Sequence, residues 1–228
     1  MGSSPPPATR IKFLNMKILG LLAKKQNGKG TVSDYIIKNH EFKQYAFADP
    51  GKRGLQEMFG FTDEQLWGSE EEKEKIDPRW GISARRTMQI VLTDLFQFDI
   101  QKHLKPEEFK FKDLGRKIWV HKFKLWFEEQ EKQHKINFIE AKIAGLVNGE
   151  IPEFKIVIND IRFQHECDIV MEMGGEIWRI IRPNKENNDN HKSEIEQDTI
   201  ITDKTIVNDG TLQDLYSKIE SNLLNHEN

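Results

Sequence analysis

Between an apolar run at Lys17 to Leu22 and a helix-spaced set at Val32, Tyr35 and Ile36 lies the segment Ala23-Lys24-Lys25-Gln26-Asn27-Gly28-Lys29-Gly30-Thr31. This order predicts strand, loop, helix. The phosphate-binding pattern G-x-x-x-x-G-K-[ST] occupies the same context. In that pattern backbone N–H groups point into a concavity at a helix N-terminus, which favours an anion. Gly28 and Lys29 match its second glycine and its lysine, a cation suited to transferring phosphates. Two positions depart. Ala23 stands for the first glycine, and Gly30 for the hydroxyl residue that holds magnesium, with Thr31 one place late. An ordinary lysine-bearing βα turn is the other reading of these residues.

The rest of the chain continues the alternation. Phe154 to Ile158 (FKIVI) suits a strand buried on both faces. Glu166 to Met173 predicts a helix stopped by Gly174 and Gly175. Ile177 to Ile181 is the next strand, ended by Arg182-Pro183, which completes a βαβ unit. Ile206-Val207 is a last short strand, and Asn208-Asp209-Gly210 turns the chain. Thr211 and Asp214 form a capping box for a final helix that buries Leu212, Leu215 and Ile219. The class is therefore α/β, a mostly parallel sheet covered by helices on both faces. Ligands of such sheets bind at the carboxyl ends of the strands.

Three intervening stretches read differently. Ile82 to Phe98 carries Met88, Val91, Leu92, Leu95 and Phe96 at amphipathic helical spacing, with Ser83 placed to cap. Ile118 to Phe127 is an aromatic-rich helix whose Trp119, Phe123, Trp126 and Phe127 favour core packing. Trp67 to Asp77, rich in Glu and Lys, reads as a solvated surface. Residues 137–153 fit more than one element. Asn184 to Lys204 is polar, without a core stripe, and is composed like a flap.

Composition narrows the classes. The chain has 228 residues, 37% hydrophobic and 31% charged, with 14 Phe and 5 Trp, enough for a core. Its net charge of -3 argues against a general nucleic-acid binder. The single cysteine, Cys167, excludes an intramolecular disulfide and a multi-thiolate zinc site, and fits a reducing compartment. No apolar run approaches the roughly 20 residues a membrane span needs. Met1-Gly2 is not followed by the hydroxyl residue of a myristoylation signal, since Pro6 occupies that place. Residues 1–15, with three consecutive prolines, read as a tail, and Met16 as the start of the fold.

Further charged groups complete a chemical set. Asp160 follows the FKIVI run, where an acid beside a phosphate loop suits magnesium or its water shell. Arg162, two residues on, suits charge on a transferring phosphoryl group. Arg85 and Arg86 lie one helical turn before Gln89, away from the apolar stripe, and suit a phosphate plus a base edge. Singly, these residues also read as surface ion pairs or a solvated face. Asp49 and Lys52 sit in a turn, Ala48-Asp49-Pro50-Gly51-Lys52, that says little alone.

Jointly the pieces resemble the deoxynucleoside monophosphate kinases of tailed phages and large viruses, from about Met16 to Leu223. MKILGLL…NGKGTVSDYI resembles the family's strand, phosphate loop and first helix. YAFADPGKRGLQEMFG resembles its Ala-Asp-Pro-x-Lys segment, and ISARRTMQIVLTDL its Arg-Arg-x-x-Gln…Gly-Thr-Asp helix, with Leu92 where the family tends to have glycine. IVINDIRFQHECDIV resembles its Asp-x-Arg-Phe-x-x-Glu signature. IWRIIRP, NHKSE and IVNDGTLQDLYSKI resemble its closing strand, flap and Asn-Asp-Gly turn.

The resemblance implies a P-loop kinase fold over 16–228, with a helical acceptor-binding insertion at about 50–150 and a lid at about 184–204. It implies transfer of the ATP γ-phosphoryl group to a deoxynucleoside monophosphate, with Mg2+ held through Asp160 and Thr31. Ala23, Lys25, Asn27, Gly28, Lys29, Gly30 and Thr31 would hold ATP, with Asn208 and Asp209 near the adenine. Arg85, Arg86, Gln89 and Lys52 would hold the acceptor. Lys29, Asp49, Asp160, Arg162 and Arg182 would serve the transfer, and His191 would be a surface or hinge residue. It also implies action in the cytoplasm, the host's if the source is viral, on small nucleotides and without nucleic acid or membrane, and a homodimer that uses the surplus aromatics of Ile118 to Phe127. Two other readings stay open: a catalytically weakened nucleotide-binding protein, favoured by Ala23 and Gly30, and a P-loop kinase for another small acceptor such as dephospho-coenzyme A.

Overall fold

The structure, a computed structural model, describes residues 16–105, 107, 113–183 and 197–224. The expected tail and most of the expected flap, with His191 and the NHKSE segment, lie outside the described residues. In chain order the elements are β1 (Met16–Leu22), α1 (Lys29–His40), β2 (Lys43–Tyr45), α2 (Asp49–Phe59), α3 (Asp63–Trp67), α4 (Glu70–Glu74), β3 (Ile76–Asp77), β4 (Ile82–Ser83) and α5 (Ala84–Met88). A π-helix (Gln89–Asp99) follows, then α6 (Leu114–Ile143), β5 (Phe154–Ile161), α7 (Gln164–Glu172), β6 (Glu176–Ile181), β7 (Lys204–Val207) and α8 (Leu212–Leu224). They form two compact units. One is built from the described residues up to Ala46 and from Gln130 onward, the other from Phe47–Glu129.

The first unit is a five-stranded sheet in the order β2-β5-β1-β6-β7, with every pair parallel. The apolar runs explain it: a central parallel strand is covered on both faces, so neither face is polar. On one face Leu19, Leu21, Val157, Trp178, Ile180 and Ile206 pack with Val32 and Ile36 of α1 and with Leu215, Ile219 and Leu223 of α8. On the other, α7 buries Cys167, Ile169 and Val170. The α/β class and the two covered faces match the sequence reading. Leu212 does not: it is 55% exposed, and Leu223 takes the inward place. β2, unforeseen, is a three-residue edge strand whose Lys43 and Gln44 are exposed, a composition that blunts edges. Thr211 and Asp214 form the expected box, Thr211 N–H donating to Asp214 at 2.8 Å and Asp214 N–H to Thr211 Oγ1 at 3.2 Å.

In the second unit the expected single helix over Ile82 to Phe98 is three elements. Ile82–Ser83 pairs with Ile76–Asp77, and α5 opens with Ser83 Oγ accepting from Arg86 N–H, as expected. From Gln89 the helix widens to π geometry. Its i→i+5 pattern turns the buried face, so Leu92 and Gln97, five apart, are buried while Leu95 of the expected stripe is exposed. Trp119, Phe123 and Phe127 of α6 are core residues, as expected: Trp119 Nε1 donates to Leu92 O at 3.2 Å, and Phe123 meets Phe47 edge-on. Trp67 to Asp77 is less solvated than its charges suggest, because Asp77 is buried. No helix among the described residues is long and apolar enough to cross a membrane.

Candidate active site

β1 and β5 are neighbours, and their register shifts at the carboxyl end. Gly20 faces Ile158, but Leu22 faces Ile161, so Asn159 and Asp160 together oppose Leu21. Such a bulge bends a strand and re-aims a side chain. It keeps Asp160 inside β5, not beyond it as the sequence reading had it, because the apolar run ends at Ile158 while the pairing continues. The half-buried Asp160 thus stands at the strand end adjoining the loop that leaves β1.

In that loop two residues are left-handed, Gln26 (φ 64°) and Gly28 (φ 99°). Gly28 caps α1 without a side-chain bond, and Val32 N–H makes the first helical bond to Gly28 O at 3.0 Å. The first-turn N–H groups of α1 find no acceptor within the helix, and no acidic residue lies in that turn. An exposed positive dipole end with Lys29 as its first residue suits a phosphate. The departures from the usual pattern are sterically mild. Ala23 is buried and has no left-handed φ, so its place does not demand glycine. A Cβ at Gly30 would meet nothing within 4 Å. The conformational demand falls instead on Gln26, which the motif comparison did not single out.

The loop is tied to its surroundings by side chains. Lys24 Nζ pairs with Asp198 at 2.7 Å. Asn27 Nδ2 donates to Ile180 O at 3.4 Å, and Asn208 Nδ2 to Asn27 O at 3.1 Å. Asn208 is therefore turned to the loop, while Asp209 pairs with Lys218 of α8, whose hydrogen bond holds its carboxyl below the usual range. Beyond β5, Glu166 Oε2 accepts the N–H groups of Arg162 and Phe163. Burial, then the Asp160 charge, pushes the Glu166 carboxyl up to about 8. The sequence reading quoted Glu166 in a signature but gave it no role. Its signal was a glutamate among the buried positions of an apolar helix face, beside Cys167, Ile169 and Val170. Cys167 is buried, with its thiol pushed up to about 12, which disfavours the nucleophilic thiolate. Arg182 is exposed just after β6, and Arg179, unforeseen, donates to Gln197 O and Ile200 O.

The second unit groups the remaining candidates. Asp49 accepts from Trp67 Nε1 at 2.8 Å and lies 3.5 Å from Lys52 Nζ, which stands 5.4 Å from the Trp67 ring centre. Trp67 was missed because its neighbours read as surface. Arg86 Nη1 donates to Gln89 Oε1 at 3.4 Å, so these two meet as their spacing predicts. Arg85 turns elsewhere, to Glu70 and to Glu74 at 3.5 Å. Among the described residues no cluster of three or more His, Cys, Asp or Glu is arranged to hold a metal. One carboxylate near a phosphate site fits Mg2+, which keeps several waters and takes substrate oxygens.

A sequence model of the deoxynucleotide monophosphate kinases matches residues 69–219. The chain belongs to the deoxynucleotide monophosphate kinase family. A relative from Acanthamoeba polyphaga mimivirus that carries the same family name is 34% identical over 208 residues, covering 90% of this chain and 95% of its own. The deoxynucleotide monophosphate kinase of Enterobacteria phage T4 is 24% identical over 91% of this chain and 99% of its own. A solved dephospho-CoA kinase from Campylobacter jejuni aligns over 92% of this chain and 97% of its own at 12% identity and a TM-score of 0.41, too slight a likeness to carry an argument. Family membership places this chain among phosphotransferases that act on nucleotides. Within such a kinase, the loop around Gly28 and the acid at Asp160 belong to the first unit, and Lys52, Arg85, Arg86 and Gln89 to the second.

Proposed function

We propose that this chain transfers the γ-phosphoryl group of ATP to a deoxynucleoside monophosphate, giving ADP and a deoxynucleoside diphosphate, in the cytoplasm. The observation that carries the reading is the left-handed Gly28 at the uncapped start of α1, with Asp160 presented by a bulge on the adjoining strand. The first-turn N–H groups of α1 and Lys29 hold the β- and γ-phosphates. Asp160, with Thr31, would hold Mg2+ through water; the ion, when bound, neutralises phosphate charge. Arg162 and Arg182 bear on the charge of the moving phosphoryl group. In the second unit Arg86 and Gln89 present a guanidinium and an amide to the acceptor, and Glu70 and Glu74 orient Arg85. Asp49 and Trp67 hold Lys52 for the acceptor phosphate.

The chemistry asks little more. An acceptor phosphate oxygen attacks the γ-phosphorus, and the bond to the β,γ-bridging oxygen breaks, leaving ADP. The acceptor is anionic at neutral pH, so positioning and charge neutralisation supply most of the acceleration.

The test is a coupled assay with ATP, magnesium and each common deoxynucleoside and ribonucleoside monophosphate, with Lys29→Ala alongside. Diphosphate forms from a deoxy substrate, and the variant loses roughly a hundredfold or more in turnover. Nucleotide binding without turnover on any acceptor would favour the binding-protein reading, which Ala23 and Gly30 support. Turnover only on a non-nucleotide acceptor would favour another small-molecule kinase.

A further inference from the structure

We propose that Asn208 is a positioning residue of the phosphate loop and not a contact for the adenine base; this rests on reading Ala23 to Thr31 as the ATP loop. Three observations support it. The Asn208 side chain donates from Nδ2 to Asn27 O at 3.1 Å, one residue before Gly28. It is seated against Gly28 itself, since a Cβ there would lie 2.5 Å from Asn208 Nδ2. Its own backbone is fixed, because Asn208 N–H donates to Ile181 O at 2.7 Å, at the end of β6.

Asn27 completes the link by donating its Nδ2 to Ile180 O at 3.4 Å, the residue before Ile181. The two asparagines thus bind the loop to the carboxyl ends of β6 and β7, two rigid strands. A clamp is needed there. Gln26 and Gly28 are both left-handed, and a non-glycine residue holds that conformation only where the surroundings over-determine it. The N–H groups that receive phosphate follow directly from this backbone, so their aim depends on it. Asn208 acts on the triphosphate through Asn27 and Gly28, whatever base the nucleotide carries.

This gives a discriminating experiment. Binding of ATP, GTP and inorganic tripolyphosphate is measured by calorimetry on the full chain, wild type, Asn208→Ala and Asn208→Asp. Steady-state KM for ATP and for the acceptor is measured in parallel. Asp is isosteric but has no donor for Asn27 O and adds a charge that repels phosphate, so the uncharged alanine and serine variants separate the lost bond from the added charge. Both variants weaken all three probes by the same factor, about fivefold to tenfold, and raise KM for ATP with KM for the acceptor unchanged. Asn208→Ser, which keeps a donor, recovers part of the loss. A defect confined to ATP, absent with tripolyphosphate, would overturn the proposal in favour of a base contact. Unchanged binding in both variants would also overturn it. A wild-type chain that binds none of the three would sink the ATP-loop reading itself, a result independent of Asn208.

Discussion

Glu166 holds the backbone of Arg162: its Oε2 accepts the Arg162 N–H at 2.8 Å and, from the next residue, the Phe163 N–H at 3.1 Å. The turn that carries Arg162 away from the Asp160 bulge is therefore fixed by one buried carboxyl. Burial and the Asp160 charge favour its protonated form, while the two N–H groups and the Arg162 charge oppose them.

The first prediction follows from that balance. The folded-state pKa of Glu166, about 8, lies above the ordinary glutamate value of about 4.3. Between those two values the folded state keeps a proton that the unfolded state has released, so stability falls as pH rises through this window. Glu166→Gln keeps an acceptor oxygen and does not titrate. Urea denaturation across pH 5 to 8 will give a flatter stability profile for this variant than for wild type. Glu166→Ala leaves both N–H groups without their acceptor and costs about 1–3 kcal/mol. An unchanged slope in Glu166→Gln would show that Glu166 is ionised throughout.

The second concerns the other unit. Buried Asp77 accepts from Gln65 Nε2 at 3.0 Å, from Arg79 N–H at 3.0 Å, and from Arg79 Nε and Nη2 at 2.9 and 2.6 Å. Arg79 also donates to Gly60 O at 2.9 Å, so the pair ties the β3–β4 hairpin to the ends of α2 and α3. The Arg79 hydrogen bonds, then that from Gln65, hold the Asp77 carboxyl well below the usual carboxylate range. A depressed folded pKa gives stability present above the unfolded value of about 3.9 and lost as pH falls toward the folded one. Asp77→Asn will lower the thermal midpoint at neutral pH, and its deficit against wild type will shrink at strongly acid pH. An equal deficit at both would remove ionisation from the account.

How much of this was legible depended on range. β1, β5 and β6 announce themselves as apolar runs because they lie inside the sheet, and edge strand β7 shows only through its buried Ile206. The Gly28-Lys29 loop was legible because its context is local. β2 was not, since an edge strand of Lys43, Gln44 and Tyr45 has no apolar run. The π-helix was not, because a period of 3.6 was assumed across Gln89 to Asp99. The end of β5 was placed at Ile158, three residues early, for want of the bulge, which left Asp160 outside the strand. The pairing of Arg85 with Glu70 and of Asp77 with Gln65 is set by tertiary contacts, which an acid-rich run conceals. Trp67 beside Asp49 and Asn208 beside Asn27 join residues far apart in the chain, and no spacing rule reaches them.

A third prediction uses the open space at Gly30. With nothing within 4 Å of a Cβ there, serine fits without displacement, and it restores a hydroxyl where phosphate loops usually hold magnesium. Gly30→Ser will lower the magnesium concentration needed for half-maximal turnover, and Asp160→Asn will raise it. Magnesium titrations at saturating ATP and acceptor check both. No response in Gly30→Ser would place the whole of the ion's protein contact on Asp160 and Thr31.

The fourth joins packing to the acceptor residues. Gly51 lies in α2 between Asp49 and Lys52, and a Cβ there would come within 2.6 Å of Leu92 Cδ2 and 2.8 Å of Trp119 Cη2. Leu92 thus fills a notch that only glycine leaves. Alanine is the better helix former by about 1 kcal/mol, so propensity alone would make Gly51→Ala stabilising. Overpacking costs about 1–3 kcal/mol and opposes that gain, because both neighbours are buried and Trp119 is also bonded to Leu92 O. Gly51→Ala will therefore destabilise, and the shift of α2 will raise KM for the acceptor through Lys52. Leu92→Ala alone opens a cavity and costs about 2–5 kcal/mol. In the double variant the new methyl takes part of that space, so the two losses will sum to more than the double shows. Urea denaturation of the four proteins measures the coupling; strict additivity would mean that Gly51 and Leu92 do not share the notch.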